Sequence, residues 1–226
     1  MSYDWNLSLL WDYRVAFTDG LIVTLQLTGV TILFGTIIGY VLGVVLSIKS
    51  SLLAPVRAII YLYMAFFGWL PLLVLMVWMY YFLPVLVGIR MTGLTVAYIA
   101  LSLNLSAFIA DVIRGAIAEI PRSYIEAGKS IGMPFLLILR RVVFPEIVRI
   151  SLPAMVALYI NQFKWTTLAS VLAVTELLHT ANTIMIQTYR SLEAYTAIAF
   201  IYLVVVGLGN LAYFQLQRME FFKQRA

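Results

Sequence analysis

The chain has 226 residues, 63% of them hydrophobic and 11% charged, with a mean hydropathy of +0.99. Soluble domains carry roughly 45–50% apolar and about 25% charged residues, so this composition excludes an ordinary soluble fold and fits one domain of several membrane spans. The absence of cysteine excludes disulfides and thiolate metal sites, the single histidine excludes a multi-histidine metal centre, and the net charge of +5 reads as basic loops rather than a nucleic-acid surface.

The amino-terminal segment is acidic, lacks a basic n-region and does not resemble a cleaved signal peptide. Its Trp5, Trp11 and Tyr13 read as an interfacial belt. Charge-free runs then mark five spans, at about 21–48, 58–84, 91–110, 150–174 and 194–217. In the first, Gly35, Gly39 and Gly43 recur every fourth residue, which places them on one face and allows a close helix contact. The second is too long for one span and too short for two, and Gly68 and Pro71 predict a break or kink near its middle. The third ends at Asp111, and Lys164 interrupts the fourth.

Basic residues orient the bundle. Eleven of the fifteen fall in 49–57, 111–149 and the carboxyl-terminal tail, while Arg14, Arg90 and Arg190 occupy the other side. The positive-inside rule therefore predicts the amino terminus outside and the carboxyl terminus in the cytoplasm. His179 and Arg190 then fall in an outer loop, where His179 reads as a solvated histidine.

The loop 111–149 is the one sizeable polar segment. Asp111 and Arg114, three apart, are spaced to pair on a helix face. Ser123-Tyr124-Ile125-Glu126 has the form of a capping box. Gly132 fits a helix C-cap and Pro134 follows it, so 124–131 is predicted as a short helix. Ala127 and Gly128 give it a small face that another protein could approach closely. A second helix is expected from about Pro134 to Phe144, ended by Pro145. The residues alone also allow this segment to be a connector between spans.

Glu126-Ala127-Gly128, three residues, Gly132, nine residues, then Val142-Val143-Phe144-Pro145 resembles the EAA motif of ABC importer permeases, E-A-A…G…I-x-L-P. The third residue is Gly rather than Ala, and Val and Phe replace Ile and Leu. Other segments resemble the polar-amino-acid branch of that family. Pro71-Leu72-Leu73-Val74 matches part of its F-R-G-T-P-L-L-V-Q, Asp111-Val112-Ile113-Arg114-Gly115 its E-I-x-R-G, and Lys164-Trp165-Thr166-Thr167-Leu168 its K-x-T-S-L, with Glu176-Leu177 following. The likeness covers roughly 20–215.

That resemblance implies an all-α integral membrane permease of the type I importer fold, multi-pass in the bacterial inner membrane. It also implies a coupling helix carrying Ser123, Glu126, Ala127, Gly128 and Gly132 that docks on a cytoplasmic ATPase subunit. The chain has no G-x-x-x-x-G-K-[ST] loop, so ATP and magnesium are expected on that partner and no catalysis on this chain. The other expected partners are lipid, an extracytoplasmic solute-binding protein and a second permease subunit, either a homologue or a second copy of this chain. The missing Arg and Thr near residue 69, with Ser123-Tyr124 where the family has Gly-Gln, suggest a heterodimer in which this chain is the divergent half.

A charge inside a span costs about 3 kcal/mol or more and usually faces protein or water. Lys164 is therefore either a pathway or gate residue or a structural cation bonded to carbonyls or to Glu176. Thr166 and Thr167 are positioned to bond a solute or their own helix. Lys164, Thr166, Thr167 and Glu176 form the candidate pathway set. An ion-coupled secondary transporter of small polar solutes is the alternative, but it calls for carboxylates within spans, and here Asp111 and Glu176 stand only at span ends.

Overall fold

The computed structural model describes residues 4–6, 8–88 and 90–218, so the basic tail positions Lys223 and Arg225 lie outside the described residues. Among those residues every regular element is helical, and five helices are long and apolar enough to cross a membrane.

A short helix α1 (Ser8–Asp12) leads into α2 (Arg14–Ser47), whose 34 residues begin before the predicted first span. The most enclosed element is α5 (Gly93–Glu119), capped at its start by Thr92, whose hydroxyl accepts from Thr95 N at 3.2 Å. Its Ala100, Leu101, Leu105 and Ile109 are fully buried. The glycine stripe of α2 makes that burial possible. A β-carbon at Gly39 would lie 2.6 Å from Ser106 O and from Ile109 Cβ, and one at Gly43 would lie 2.7 Å from Ala110 O. Small residues thus let the two backbones approach where lipid offers no hydrophobic drive to pack helices.

The second span is two helices, α3 (Ala54–Trp69) and α4 (Leu72–Val87), separated by extended backbone at Leu70 and Pro71. Both lie along α5: α3 through Tyr63, hydrogen-bonded to Ser106 at 2.6 Å, and α4 through Leu75, Met76 and Met79. The break leaves carbonyls without helical partners, and Asn104 Nδ2 donates to one of them, Phe67 O, at 2.6 Å. Pro84 stays inside α4, which runs three residues further to a left-handed Gly88.

The segment after the third span is mostly helical. Helix α5 carries on to Glu119, and Asp111 and Arg114 on it form an ion pair of 2.6 Å. Helix α6 (Arg122–Ser130) follows, then α7 (Phe135–Ile138). Pro145 does not end a helix, contrary to expectation. A π turn over Leu139–Val143 joins α7 to α8 (Phe144–Trp165), and Pro145 sits in the first turn of α8. A proline lacks only the N–H that a helix start leaves unpaired, so a wider turn ahead of it lets the rod continue.

Beyond Trp165 the chain tightens into a 3-10 turn, Thr166–Leu172, and reverses at Ala173 in the left-handed region. The predicted outer loop is instead helix α9 (Leu177–Thr188), with half-buried His179 in its first turn. Leu177, Ala181 and Ile184 of α9 pack against Phe17 of α2 and against Ala194 and Ile198 of α10 (Ser191–Arg218). Buried Glu193 accepts from Asn6 N at 3.0 Å and pairs with Arg190 at 3.0 Å, while Arg190 donates to Asp4 O, tying the amino-terminal segment down.

Candidate functional site

Two regions carry the candidate residues, and they lie far apart along the fold. The first is α6. Its N-cap is Pro121, whose carbonyl accepts from Tyr124 N at 3.1 Å. The helix therefore starts before Ser123, which sits inside the first turn and makes no side-chain cap bond. The capping box does not form, because a residue with helical dihedrals cannot serve as N-cap. The other end matches a Schellman motif: Gly132 has φ +77°, Gly132 N donates to Lys129 O and Met133 N to Gly128 O, both at 3.0 Å.

The small face divides in two. Gly128 is buried, and a β-carbon there would lie 2.9 Å from Ile138 Cγ1, so its size serves contact within the chain. Ser123, Glu126, Ala127 and Gly132 are exposed. Beside them stand Tyr124, Ile131, Phe135 and Leu136, at 45%, 76%, 58% and 78% exposure. A helix clamped through one glycine and half-buried Ile125 is thus followed by exposed apolar residues, Ile131 at its C-cap and Phe135 and Leu136 on α7.

The second region is a cleft of about 430 Å³ between α8 and α10, lined by Lys164, Thr167, Ala199, Tyr202, Leu203 and Val206. Lys164 is exposed there. Its depth follows from Gln162, whose Nε2 donates to Thr31 Oγ1 at 3.0 Å and to Leu101 O at 3.3 Å. Leu101 stands midway along the charge-free stretch 91–110, so Lys164, two residues past Gln162, lies near the middle of the third span.

The candidate pathway residues are not brought together. Glu176 is fully buried and is the N-cap of α9, its two carboxylate oxygens accepting from Leu178 N at 2.9 Å and His179 N at 2.7 Å. No ion pair joins it to Lys164 among the described residues. Thr166 is buried and donates to Phe163 O at 2.7 Å, and Thr167 donates to Lys164 O at 2.8 Å. Both hydroxyls therefore spend their proton on their own backbone, which is the usual fate of a threonine within an apolar helix.

A buried polar seam completes this region. Thr24, Thr28 and Thr31, all buried, run down one face of α2 at helical spacing, where Thr31 Oγ1 accepts from Gln162 Nε2 and Thr24 Oγ1 from Leu177 N. Tyr202 turns its hydroxyl toward Thr24, Thr166 and Glu176 while its ring lines the cleft. Sequence reasoning passed over Tyr202 and the three threonines. The i, i+4, i+7 threonine spacing in a largely apolar span was the available signal.

This geometry defines a multi-pass membrane permease with a broken second span and an exposed short helix between its third and fourth spans. Residues 35–219 match the family described as binding-protein-dependent transport system inner membrane component, and the chain belongs to that family. It is a permease subunit of an ATP-binding cassette importer, a multi-pass inner-membrane protein rather than an enzyme, and membership implies an ATPase partner.

Among its relatives is the probable amino-acid ABC transporter permease protein PatM of Vibrio harveyi, 36% identical over 76% of this chain and 79% of that one. YckA of Bacillus subtilis, a probable amino-acid ABC transporter permease protein, is 31% identical over 92% and 90% of the two chains. In structure the chain is similar to an amino acid ABC transporter crystallised with histidines, with TM-score 0.84, 28% identity and coverage of 96% and 99%. It is also similar to the MetNI methionine ABC transporter in an inward-facing conformation, with TM-score 0.75, 26% identity and coverage of 92% and 97%. These relatives do not favour the ion-coupled alternative.

Proposed function

We propose that this chain conducts an amino acid or a closely related small polar solute, and that α6 transmits the state of a cytoplasmic ATPase to the spans. The observation that carries the coupling role is the geometry of α6. It ends in a Schellman motif at Gly132, is seated through Gly128 on Ile138, and presents exposed Glu126 and Ala127 with exposed apolar residues beside it. The distribution of basic residues supports an outer amino terminus and a cytoplasmic α6. ATP and magnesium belong to the partner, which closes on ATP and pulls α6 with it, switching the spans between outward and inward access. The amino-acid names of the relatives support the solute class.

Lys164 supports the conduction role. An exposed lysine at this depth is too costly to face acyl chains, so it faces a water-filled path or a second subunit. The partner set follows: a second permease subunit, divergent from this chain, closing the path against the α8–α10 face, and an extracytoplasmic binding protein delivering solute. The test is affinity purification from mild detergent through a carboxyl-terminal tag, with Glu126→Lys alongside. An ATPase subunit is expected with the unaltered chain and is expected to be lost from the variant. A chain that folds and purifies alone contradicts the reading.

A further inference from the structure

Helix α9 sits between two strained joints. Among the described residues, Ala173 at φ +56° and Tyr189 at φ +54° are the two non-glycine residues in the left-handed region, and they flank α9. Such backbone persists only where its surroundings hold it, and it collects at switch segments. At the first joint the hold is Glu176, which caps α9, together with Leu177 N, which donates to Thr24 Oγ1 of α2 at 3.1 Å. At the second joint the hold is the amino-terminal segment. Asn6 N and Arg190 Nη1 both donate to Glu193 Oε1 at 3.0 Å, and Arg190 also donates to Asp4 O at 2.8 Å.

The start of α9 rests on the buried polar seam, which is short of hydrogen-bond donors. Two buried side-chain atoms lack a hydrogen-bond partner among the described residues, Gln162 Oε1 and Tyr202 Oη, and both belong to this seam. The Tyr202 hydroxyl faces Thr24, Thr166 and Glu176 without closing a bond on any of them. Gln162 Oε1 needs a donor, and the threonines have none to give. The protons of Thr24, Thr28, Thr31 and Thr166 go to Gly20 O, Thr24 O, Leu27 O and Phe163 O. Unsatisfied polar atoms at membrane depth are costly, and side chains of this kind belong where water has access. Resting on the proposed orientation, with α9 on the outer side, we infer that α9 is a lid over the outer end of this seam and that Asp4, Asn6, Arg190 and Glu193 form its latch. Ala173 and Tyr189 are the joints about which the lid moves. When it lifts, water enters the seam at least as far as Thr28.

The test uses the complex of this chain with its ATPase and any second permease in lipid nanodiscs. The chain has no cysteine, so a charged, water-soluble thiosulfonate reports one introduced thiol at a time. Thr28→Cys, at a buried position, is expected to react far more slowly than Asp19→Cys, at an exposed one. Asn6→Pro removes one latch N–H, and Glu193→Gln weakens the pairing with Arg190. Each is expected to speed Thr28→Cys labelling about fivefold or more, because labelling tracks the population of the open state. Ala173→Gly relieves a joint of the closed lid and is expected to slow labelling of the Asn6→Pro chain about twofold or more. General loosening of the fold would not be reversed by an added glycine. The inference is overturned if Thr28→Cys reacts equally slowly in both latch variants while the complex stays intact. It is also overturned if Thr28→Cys reacts as fast as Asp19→Cys with the latch unaltered, or if Ala173→Gly speeds labelling. ATP with vanadate is expected to speed Thr28→Cys labelling with the latch unaltered. Faster labelling in the latch variants with no response to ATP leaves the lid standing and contradicts the conduction role.

Discussion

The seam between α2 and α5 and the short helix α6 both depend on small residues, but they use them to opposite ends. In the seam, Gly35, Gly39 and Gly43 draw two long helices into contact along several turns, with Leu105, Ser106, Ile109, Ala110 and Ile113 filling the other side. Nothing on that face is left for a partner. On α6 one glycine, Gly128, makes the internal contact, and the residue before it, Ala127, stays exposed. A part that must carry force needs a firm anchor and a free face, and alternating the two along one short helix supplies both. A structural seam needs only the anchor.

Substitution by bulk should separate the two regions. Gly39→Leu forces a side chain onto Ser106 O and Ile109, and a destabilisation of about 3 kcal/mol or more is expected. It should appear as a loss of folded protein in detergent and a lower Tm. Gly29 has no neighbour within 4 Å of its β-position, so Gly29→Leu should leave both quantities near those of the unaltered chain. If the two substitutions were equally harmful, the seam would not be where the fold is held.

A smaller effect is expected on α6. Gly128→Leu should push the helix off Ile138 at a cost of about 2 kcal/mol, and it should weaken ATPase association more than it lowers Tm. Gly132→Ala places a β-carbon at φ +77° and should cost about 1 kcal/mol, read as increased amide exchange at the end of α6. Ser123→Ala removes no cap bond and should change stability by less than about 0.5 kcal/mol. A Ser123→Ala loss near 1 kcal/mol would restore the capping box that the structure lacks.

Much of this architecture was legible in the residues. Charge-free runs gave five spans because a lipid-facing helix tolerates few charges, and Gly68 with Pro71 gave the break because proline removes a backbone donor and clashes with the preceding turn. The glycine stripe was legible because a period of four matches one helix face. Three features were not. Ser123 has the side chain for an N-cap, but Pro121, two residues earlier, already has the extended dihedrals that start a helix. Pro145 looks like a stop, and only the π turn before it, which depends on neighbouring packing, carries the helix through. Helix α9 was hidden because its cap is a buried glutamate, an uncommon choice, and its twelve residues are too few to announce a span. In the candidate site, the lysine was legible as an isolated charge. Its separation from Glu176 was not, because the reversal at Ala173 decides where that carboxylate points.

The central claim is that the exposed face of α6 meets the ATPase. The chain has no cysteine, so Ala127→Cys provides a single attachment point for a short photo-crosslinker. Irradiation of the assembled complex is predicted to join this position to the ATPase subunit in high yield, with the yield changing on addition of ATP. Attachment at Leu203 through Leu203→Cys, in the α8–α10 cleft, is predicted to give no ATPase adduct. An Ala127 label that reacts only with lipid or with this chain, while the ATPase is present and active in the complex, would contradict the account.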